Sequence, residues 1–207
     1  QIGAVGGTPI REGNLGAENQ HRELYTMLRV GESVYDSTPF LEGSLIAWRA
    51  GCVSSSDLYY SSNADDAQIA TAARLNGLRA IQDPELFFTD QMPLTAKGQR
   101  RQKVRRAQGL IRLLVRKRKF WFSKIQGRFS KILRRNAWMH IISPLAIVGA
   151  AALAVMRNIA YFPESALMAS LSALEVYCLA SWLLARSNKS IIGTKTAGVI
   201  LCGLENL

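Results

Sequence analysis

The chain has 207 residues, a formal net charge of +11 and 48 % hydrophobic residues, averages typical of an ordinary soluble protein. Its three cysteines include no CxxC pair, which excludes a disulfide framework and a cysteine-ligated metal site. With two histidines and no HExxH motif or carboxylate dyad, no catalytic constellation can be assembled, so the sequence predicts a protein that is not an enzyme.

Residues 1–96 carry 6 basic and 12 acidic side chains and are predicted to form an acidic, loop-rich extramembrane region with short helices. The glycine-rich first 20 residues predict an extended tail. Apolar spacing predicts helices over residues 21–30, 41–51 and 65–83, with Asn63, Asp65 and Asp66 as candidate N-caps of the third. Because the chain begins with Gln1 and shows no signal peptide, a transit peptide is expected to have been removed, or a polyprotein cut.

Residues 97–136 are predicted to form a basic amphipathic helix that lies in a membrane interface. From Lys97 to Arg135 there are 16 Lys or Arg residues and no Asp or Glu, with large apolar residues at helical intervals. Such a helix contacts anionic lipids or an acidic partner surface. The candidate contact residues are Arg112, Arg116, Lys119, Trp121, Lys124 and Arg128. Nucleic-acid binding is the less favoured alternative, because the basic run directly precedes an apolar one. Arg105-Arg106 also fits a twin-basic processing site.

Two apolar runs, residues 137–156 and 166–185, are each 20 residues long, about the length that crosses a bilayer. The short connection predicts an antiparallel transmembrane hairpin over 137–190, followed by a short apolar C-terminal segment, 191–207. Pro144 is expected to kink or loosen the first span around residue 140. The predicted fold class is therefore all-α: a membrane protein with a two-helix transmembrane hairpin, preceded by an interfacial helix and a small, mostly helical N-terminal region.

Two polar residues inside these runs are candidate ligands. His140 lies near the start of the first run and Glu175 near the middle of the second, where a carboxylate is costly unless it is paired, protonated or ligating. A hydrogen-bonded histidine and a protonated or hydrogen-bonded glutamate are the structural interpretations. The functional hypothesis is that His140 and Glu175 hold chlorophyll, with carotenoid as a further pigment; otherwise no cofactor is expected.

One stretch resembles a known family. The first two membrane helices of bestrophin-type anion channels are similar to an order of segments in this chain. That order is Phe129-Ser130-Lys131-Ile132-Leu133-Arg134-Arg135, a span, a turn containing Pro163, and a second span ending in Leu183-Leu184-Ala185-Arg186-Ser187-Asn188-Lys189-Ser190. The resemblance covers about residues 129–190 and implies a pentameric anion channel. The aromatic and arginine-rich continuation after the second helix is replaced by residues 191–207, so the resemblance implies a relative that lacks the pore.

These features favour a non-catalytic accessory subunit that bridges components of a large organellar membrane complex. A photosystem with its antenna in the chloroplast thylakoid is preferred, and a respiratory complex or ATP synthase of the mitochondrial inner membrane is the alternative. Both chain termini are expected on the stromal or matrix side. The expected partners are other integral membrane subunits and anionic lipids, with no substrate. A bestrophin-like channel and a viral membrane-remodelling protein are the other hypotheses.

Overall fold

The computed structural model describes residues 1–10, 17–89, 96–160 and 166–186. Their elements are β1 (Ile2–Ile10), α1 (Ala17–Tyr35), β2 (Ile46–Trp48), α2 (Asp65–Leu75), β3 (Arg79–Thr89), α3 (Ala96–Arg116), α4 (Gly127–Ala137), α5 (Ser143–Ala160) and α6 (Ala166–Arg186). Short 3₁₀ turns lie at Ser55–Asp57 and Arg118–Phe120, and a π-helical turn at Trp138–Ile142. The chain divides into two compact units, residues 1–13 with 23–140 and residues 14–22 with 141–207.

A three-stranded sheet forms the centre of the first unit, in the order β2-β1-β3. β1 runs antiparallel to β2 and parallel to β3. The predicted extended tail over the first residues is therefore wrong, because residues 2–10 form the central strand. Two glycines of β1 allow close packing of neighbouring side chains. A Cβ at Gly3 would lie 2.6 Å from the Cβ of Leu78, and one at Gly7 would lie 2.6 Å from Cδ2 of Leu45.

The core of this unit lies where α2 packs on the sheet. Every residue of α2 from Ala67 to Ala73 is buried. The apolar cluster comprises Ala4 of β1, Leu41, Cys52, the α2 residues Ile69, Ala70 and Ala73, and Ala80 of β3. Small side chains dominate this cluster, so the helix and the sheet approach closely and the start of α2 is held in a fixed place.

The three helices predicted in the N-terminal region have different outcomes. The helix over residues 21–30 is confirmed as part of the longer α1. The helix over 41–51 is wrong, because this stretch is a loop followed by β2. The third helix begins at Asp65, but its N-cap is Ala64 with no side-chain cap hydrogen bond, so the predicted caps Asn63, Asp65 and Asp66 are wrong. The helix ends at Leu75, since Gly77 adopts a left-handed turn with φ of 87°. The apolar residues beyond it belong to β3, in which Ala80 and Gln82 are buried on alternate positions.

The basic segment forms two helices rather than one. α3 and α4 bury five large apolar side chains, Leu113, Leu114, Phe129, Ile132 and Leu133, whereas Val104 and Val115 of α3 are exposed. Residues 117–126 connect the two helices and include the turn at Arg118–Phe120. The long helix with an apolar face toward lipid, as predicted over 97–136, is therefore interrupted in its middle.

In the second unit the helices α5 and α6 occupy the two predicted apolar runs. The π-helical turn immediately before Ser143 and Pro144 confirms the expected irregularity around residue 140, because a proline nitrogen cannot donate to the preceding turn. Within the described ranges one helical run, Gly127–Ala154, is long and apolar enough to cross a membrane, while Ser170–Ser181 is apolar but shorter. The predicted all-α fold with a two-helix transmembrane hairpin is wrong, because of this single run and because of the mixed sheet.

A buried carboxylate ties α1 to α4. Glu32 accepts hydrogen bonds from Asn136 Nδ2 at 2.7 Å, Thr38 Oγ1 at 2.8 Å and an Arg135 guanidinium nitrogen at 3.0 Å. Burial raises the pKa of the Glu32 carboxyl, although these hydrogen bonds and the charge of Arg135 oppose the shift. Glu32 is thus a structural group whose protonation is coupled to folding.

Because of Glu32, we expect the free energy of unfolding to fall as pH rises. Between the ordinary pKa of a glutamate and the raised pKa in the folded protein, the folded chain holds a proton that the unfolded chain has lost. In the Glu32→Gln variant the side chain cannot titrate, and its amide NH₂ group faces the hydrogen-bond donors of Asn136, Thr38 and Arg135. This mismatch should lower the free energy of unfolding by about 1–3 kcal/mol. The difference in free energy of unfolding between this variant and the unmodified chain, measured with urea, should be largest at acidic pH and should become smaller toward neutral pH. Parallel profiles for the two proteins would contradict this assignment.

Candidate active site

A cavity of about 340 Å³ lies in the first unit. It is lined by four segments: Arg29 of α1, residues 40–44 of the following loop, residues 63–66 at the start of α2, and Gln102, Arg105, Arg106 and Leu110 of α3. These segments are distant in sequence and meet because α2 is fixed on the sheet and α3 packs beside it. The cavity therefore combines acidic side chains from the acidic half of the chain with basic ones from the basic segment.

The acidic side of the cavity is the first turn of α2. Ala64, with φ of 66°, turns the chain into the helix, and Asp65 and Asp66 follow directly. Asp66 Oδ1 accepts a hydrogen bond from the Ala67 amide at 2.8 Å. Burial raises the pKa of the Asp66 carboxyl; Arg29 opposes this, and Asp65 and Glu42 add to it. A carboxylate with raised proton affinity is better suited to accept a proton from a substrate hydroxyl.

The basic side of the cavity consists of three arginines. Arg29 forms an ion pair and a hydrogen bond with Glu42, and both side chains line the cavity. Arg105 and Arg106 come from α3, which contains no acidic residue of its own. Guanidinium groups bind phosphate oxygens with paired hydrogen bonds, and their charge persists at any physiological pH. The cavity can therefore hold an anionic group such as a diphosphate close to carboxylates that accept protons.

The position of α3 depends on a glycine. A Cβ added to Gly109 would lie 2.8 Å from the Cβ of Ala64 and 2.9 Å from the carbonyl carbon of Asn63. Both contacts are with the segment that leads into the first turn of α2. The absence of a side chain at Gly109 thus lets α3 approach the acidic side of the cavity.

Gly109→Ala should destabilise the protein by about 1–3 kcal/mol, because the contacts are with backbone and with a short side chain that cannot move aside. Gly31→Ala is the matched control, since its Cβ meets nothing within 4 Å in helix α1. That variant should gain about 0.5–1 kcal/mol from helix propensity alone. Urea unfolding of both variants measures the difference, and equal stabilities would show that α3 is not held here.

His140, one of the two predicted pigment ligands, lies behind the cavity lining rather than in it. Phe40 lines the cavity, and its ring meets that of His140 edge-on, with centroids 5.6 Å apart. The Tyr25 ring lies 5.8 Å from His140 on another side. Burial raises the pKa of the Tyr25 hydroxyl. His140 is therefore a buried residue behind Phe40, packed between two aromatic rings.

The remaining predicted site residues also lie outside the cavity lining. In the second unit Glu175 accepts a hydrogen bond from Arg157 at 2.8 Å, so this carboxylate is paired with a cation. Arg112, Lys119 and Lys124 are exposed, whereas Trp121 is half-buried. The Arg116 guanidinium lies 4.2 Å from the centroid of the Tyr59 ring, and that of Arg128 lies 5.2 Å from the Tyr35 ring. Lipid contact by the basic residues stays a prediction.

Sequence reasoning missed the residues that line the cavity. Asp65 and Asp66 were candidate helix caps, Glu42 belonged to a predicted helix, and Arg105-Arg106 fitted a processing site. The available signal was the adjacent acidic pair before a buried helix, followed some 40 residues later by two arginines on another. Only the packing of α3 beside α2 shows that these pairs share a cavity.

The described side chains do not fit a metal held by the protein alone. Within the part of the chain that the structure describes, no group of three or more His, Cys, Asp or Glu residues is arranged to hold a metal ion. Divalent cations such as Mg²⁺ or Mn²⁺ prefer several oxygen ligands. The charged groups that line the cavity are its carboxylates and arginines.

No family model and no curated protein matches the chain. Among solved structures it is similar to a mannosyltransferase from Pyrobaculum calidifontis, solved in complex with GDP-mannose and Mn²⁺. The TM-score is 0.69 and the sequence identity 25 %, over 99 % of this chain and 52 % of the other. The chain thus spans about half the length of that protein and shares its fold over this half.

This similarity overturns several predictions. The neighbour is a glycosyltransferase and not a bestrophin-type channel, so the predicted resemblance is wrong. The predicted non-catalytic accessory subunit of a photosystem, with integral membrane subunits as partners and no substrate, is wrong for the same reason, as is the prediction that the chain is not an enzyme. Because the neighbour holds a nucleotide sugar and a metal ion, the match lends no support to chlorophyll or carotenoid. The organellar membrane location stays a prediction.

Proposed function

We propose that the chain takes part in glycosyl transfer from a nucleoside diphosphate sugar to a hydroxyl acceptor. The observation that carries the proposal is the cavity, which joins the Asp65-Asp66 pair to Arg105 and Arg106. Support comes from the fold that this chain shares with a mannosyltransferase that binds GDP-mannose. Mannose is accordingly the first sugar to test, with other nucleotide sugars as the comparison.

Each side of the cavity fits one half of the reaction. The acceptor oxygen forms a bond to the anomeric carbon of the sugar while the bond from that carbon to the diphosphate oxygen breaks. Asp66 takes the proton of the acceptor hydroxyl, and the nucleoside diphosphate leaves with the bonding electrons. Arg105 and Arg106 stabilise the negative charge that develops on the leaving diphosphate. No step is assigned to a metal ion.

The ion pair between Arg29 and Glu42 has a positioning role in this scheme. Both groups line the cavity, and both influence the pKa of Asp66, Arg29 lowering it and Glu42 raising it. Because the pair is nearly neutral as a whole, it leaves burial as the main cause of the raised pKa of Asp66. Burial therefore keeps the pKa of Asp66 raised although Arg29 opposes the shift.

The test is release of nucleoside diphosphate by the purified chain. GDP-mannose, UDP-glucose and UDP-N-acetylglucosamine are each incubated with the protein and a pool of free sugars and extracted lipids as acceptors. We expect one donor to be consumed in a manner that depends on both acceptor and protein. Glu85→Gln, which removes an exposed carboxylate of β3 outside the cavity lining, is the control and should retain activity. Failure to bind or consume any of the three donors would overturn the proposal.

A further inference from the structure

The turn formed by residues 42–45 brings a glycine against the carboxylate of Asp66. The amide of Leu45 donates to the carbonyl of Glu42 at 3.2 Å, and Gly43 is the second residue of this turn. A Cβ added to Gly43 would lie 3.0 Å from Oδ2 of Asp66 and 3.4 Å from its Cγ. Because Gly43 and Asp66 both line the cavity, the missing side chain at position 43 leaves room for Oδ2 in this lining.

The two oxygens of the Asp66 carboxylate have different surroundings. Within the described residues, its one hydrogen bond joins the Ala67 amide to Oδ1 at 2.8 Å. That bond holds Oδ1 against the first turn of α2. Oδ2 is the oxygen that lies beside Gly43. Since a base must come within hydrogen-bonding distance of the proton it accepts, Oδ2 is the atom that remains for an acceptor hydroxyl.

The backbone on both sides of this contact is anchored in the first unit. Leu41, before the turn, is 2 % exposed, and the Leu45 carbonyl accepts a hydrogen bond from the Gly7 amide of β1 at 3.0 Å. Asp66 directly precedes the buried residues Ala67–Ala73 of α2. A methyl group at position 43 would therefore displace the carboxylate, because rotating a side chain costs less than separating packed backbone.

We propose that Gly43 is a positioning residue, which keeps Oδ2 of Asp66 free to accept the proton of the acceptor hydroxyl. This inference rests on the proposed function, in which Asp66 is the base. The other charged groups that line the cavity are Arg29 of α1, Glu42 of the turn, Asp65 of α2, and Arg105 and Arg106 of α3. Gly43→Ala adds no charge and removes none, so it changes the geometry of Asp66 and keeps these groups.

The test compares Gly43→Ala with the matched control Gly31→Ala. Gly31 is exposed in α1, and a Cβ there meets nothing within 4 Å. In Gly43→Ala we expect kcat for sugar transfer to fall by about 10- to 100-fold, since a small displacement of a catalytic group has an effect of this size. The dissociation constant for GDP should change little, because the carboxylate acts on the acceptor side. Gly31→Ala should keep both values.

The pKa of Asp66 gives a readout that needs no activity. It is measured by NMR on the full chain with ¹³C-labelled aspartate, and Asp66→Asn assigns the signal. A methyl group beside Oδ2 excludes water, so the pKa of Asp66 should rise further in Gly43→Ala and stay unchanged in Gly31→Ala. The acid limb of the rate profile should move to higher pH with it.

Three results would overturn the proposal, each in a different way. An unchanged pKa of Asp66 in Gly43→Ala would exclude the positioning role and leave the proposed function intact. A raised pKa with an unchanged rate of transfer would exclude both the positioning role and Asp66 as the base. Gly43→Ala should have little further effect in the Asp66→Asn background, since both substitutions act through one carboxylate. An equally large loss of rate in that background would show that Gly43 acts elsewhere.

Discussion

Asp66→Asn should lower the rate of glycosyl transfer by about 10²–10⁴-fold, because the variant has no base to accept the acceptor proton. The fold should survive, since the asparagine oxygen can still accept the hydrogen bond that the Ala67 amide donates to Oδ1. Binding of the donor should change little, because the carboxylate acts on the acceptor side. The measurement is the rate of nucleoside diphosphate release, together with the dissociation constant for the nucleotide.

The pH profile gives an independent check on Asp66. A base works only when it is deprotonated, so the rate should rise with pH through the pKa of Asp66, which burial holds above the ordinary aspartate value. The acid limb of the unmodified chain should accordingly lie at a higher pH than for an ordinary aspartate. Asp66→Asn should lose this limb. A variant that keeps most of its activity, or the same acid limb, would exclude Asp66 as the base.

Replacing Arg105 and Arg106 together by glutamine should weaken nucleoside diphosphate binding by about 100-fold or more. Hydrogen bonds to charged groups contribute roughly 1.5–3 kcal/mol each, and about 1.4 kcal/mol is a factor of ten in affinity. Both guanidinium groups line the cavity, and neither is buried in the core, so the substitution should leave folding intact. Isothermal titration with GDP measures the dissociation constant directly.

Arg112→Gln is the matched control for this pair. Arg112 lies on the same helix, is exposed, and does not line the cavity. The Arg112→Gln variant should bind GDP with the same dissociation constant as the unmodified chain. Binding by the unmodified chain should also weaken with added salt, and this dependence should be smaller in the double variant. If Arg112→Gln lowers affinity as much as the double substitution, the effect is a general one of net charge and not of the cavity.

Local sequence patterns predicted several helices correctly. The start of α2 follows from its acidic first turn, and the interruption near residue 140 follows from Pro144. Both are local effects, set by residues within one or two turns of the feature. Helical periodicity also located α1, although it placed both ends several residues too far inside.

The sheet could not be predicted in the same way. β1 reads as a flexible glycine-rich tail, because its glycines are explained only by the side chains of Leu78 and Leu45, which pack where a Cβ would be. β2 has three residues, and β3 follows α2 after a single glycine turn, so the apolar residues of β3 extend the helical spacing of α2 in the sequence. Each strand is defined by partners distant in sequence.

The candidate site was hidden for a related reason. The segregation of charge suggested a basic membrane-facing segment separate from an acidic region. In the folded chain, α3 brings Arg105 and Arg106 of the basic segment to the cavity that the Asp65-Asp66 pair of the acidic region also lines. The basic run before an apolar run is a strong local pattern, and it assigned Arg105 and Arg106 to a membrane-facing segment or a processing site without reference to the acidic residues. The cavity depends on Gly109, whose packing against Ala64 is invisible without the fold.

A crystal structure of the chain in complex with GDP-mannose tests the assignment of the cavity directly. We predict that the diphosphate lies within hydrogen-bonding distance of Arg105 or Arg106 and that the sugar carbon bonded to it faces Asp66. A nucleotide bound elsewhere, or a cavity that stays empty at a saturating concentration of GDP-mannose, would contradict the assignment of this cavity as the site of glycosyl transfer.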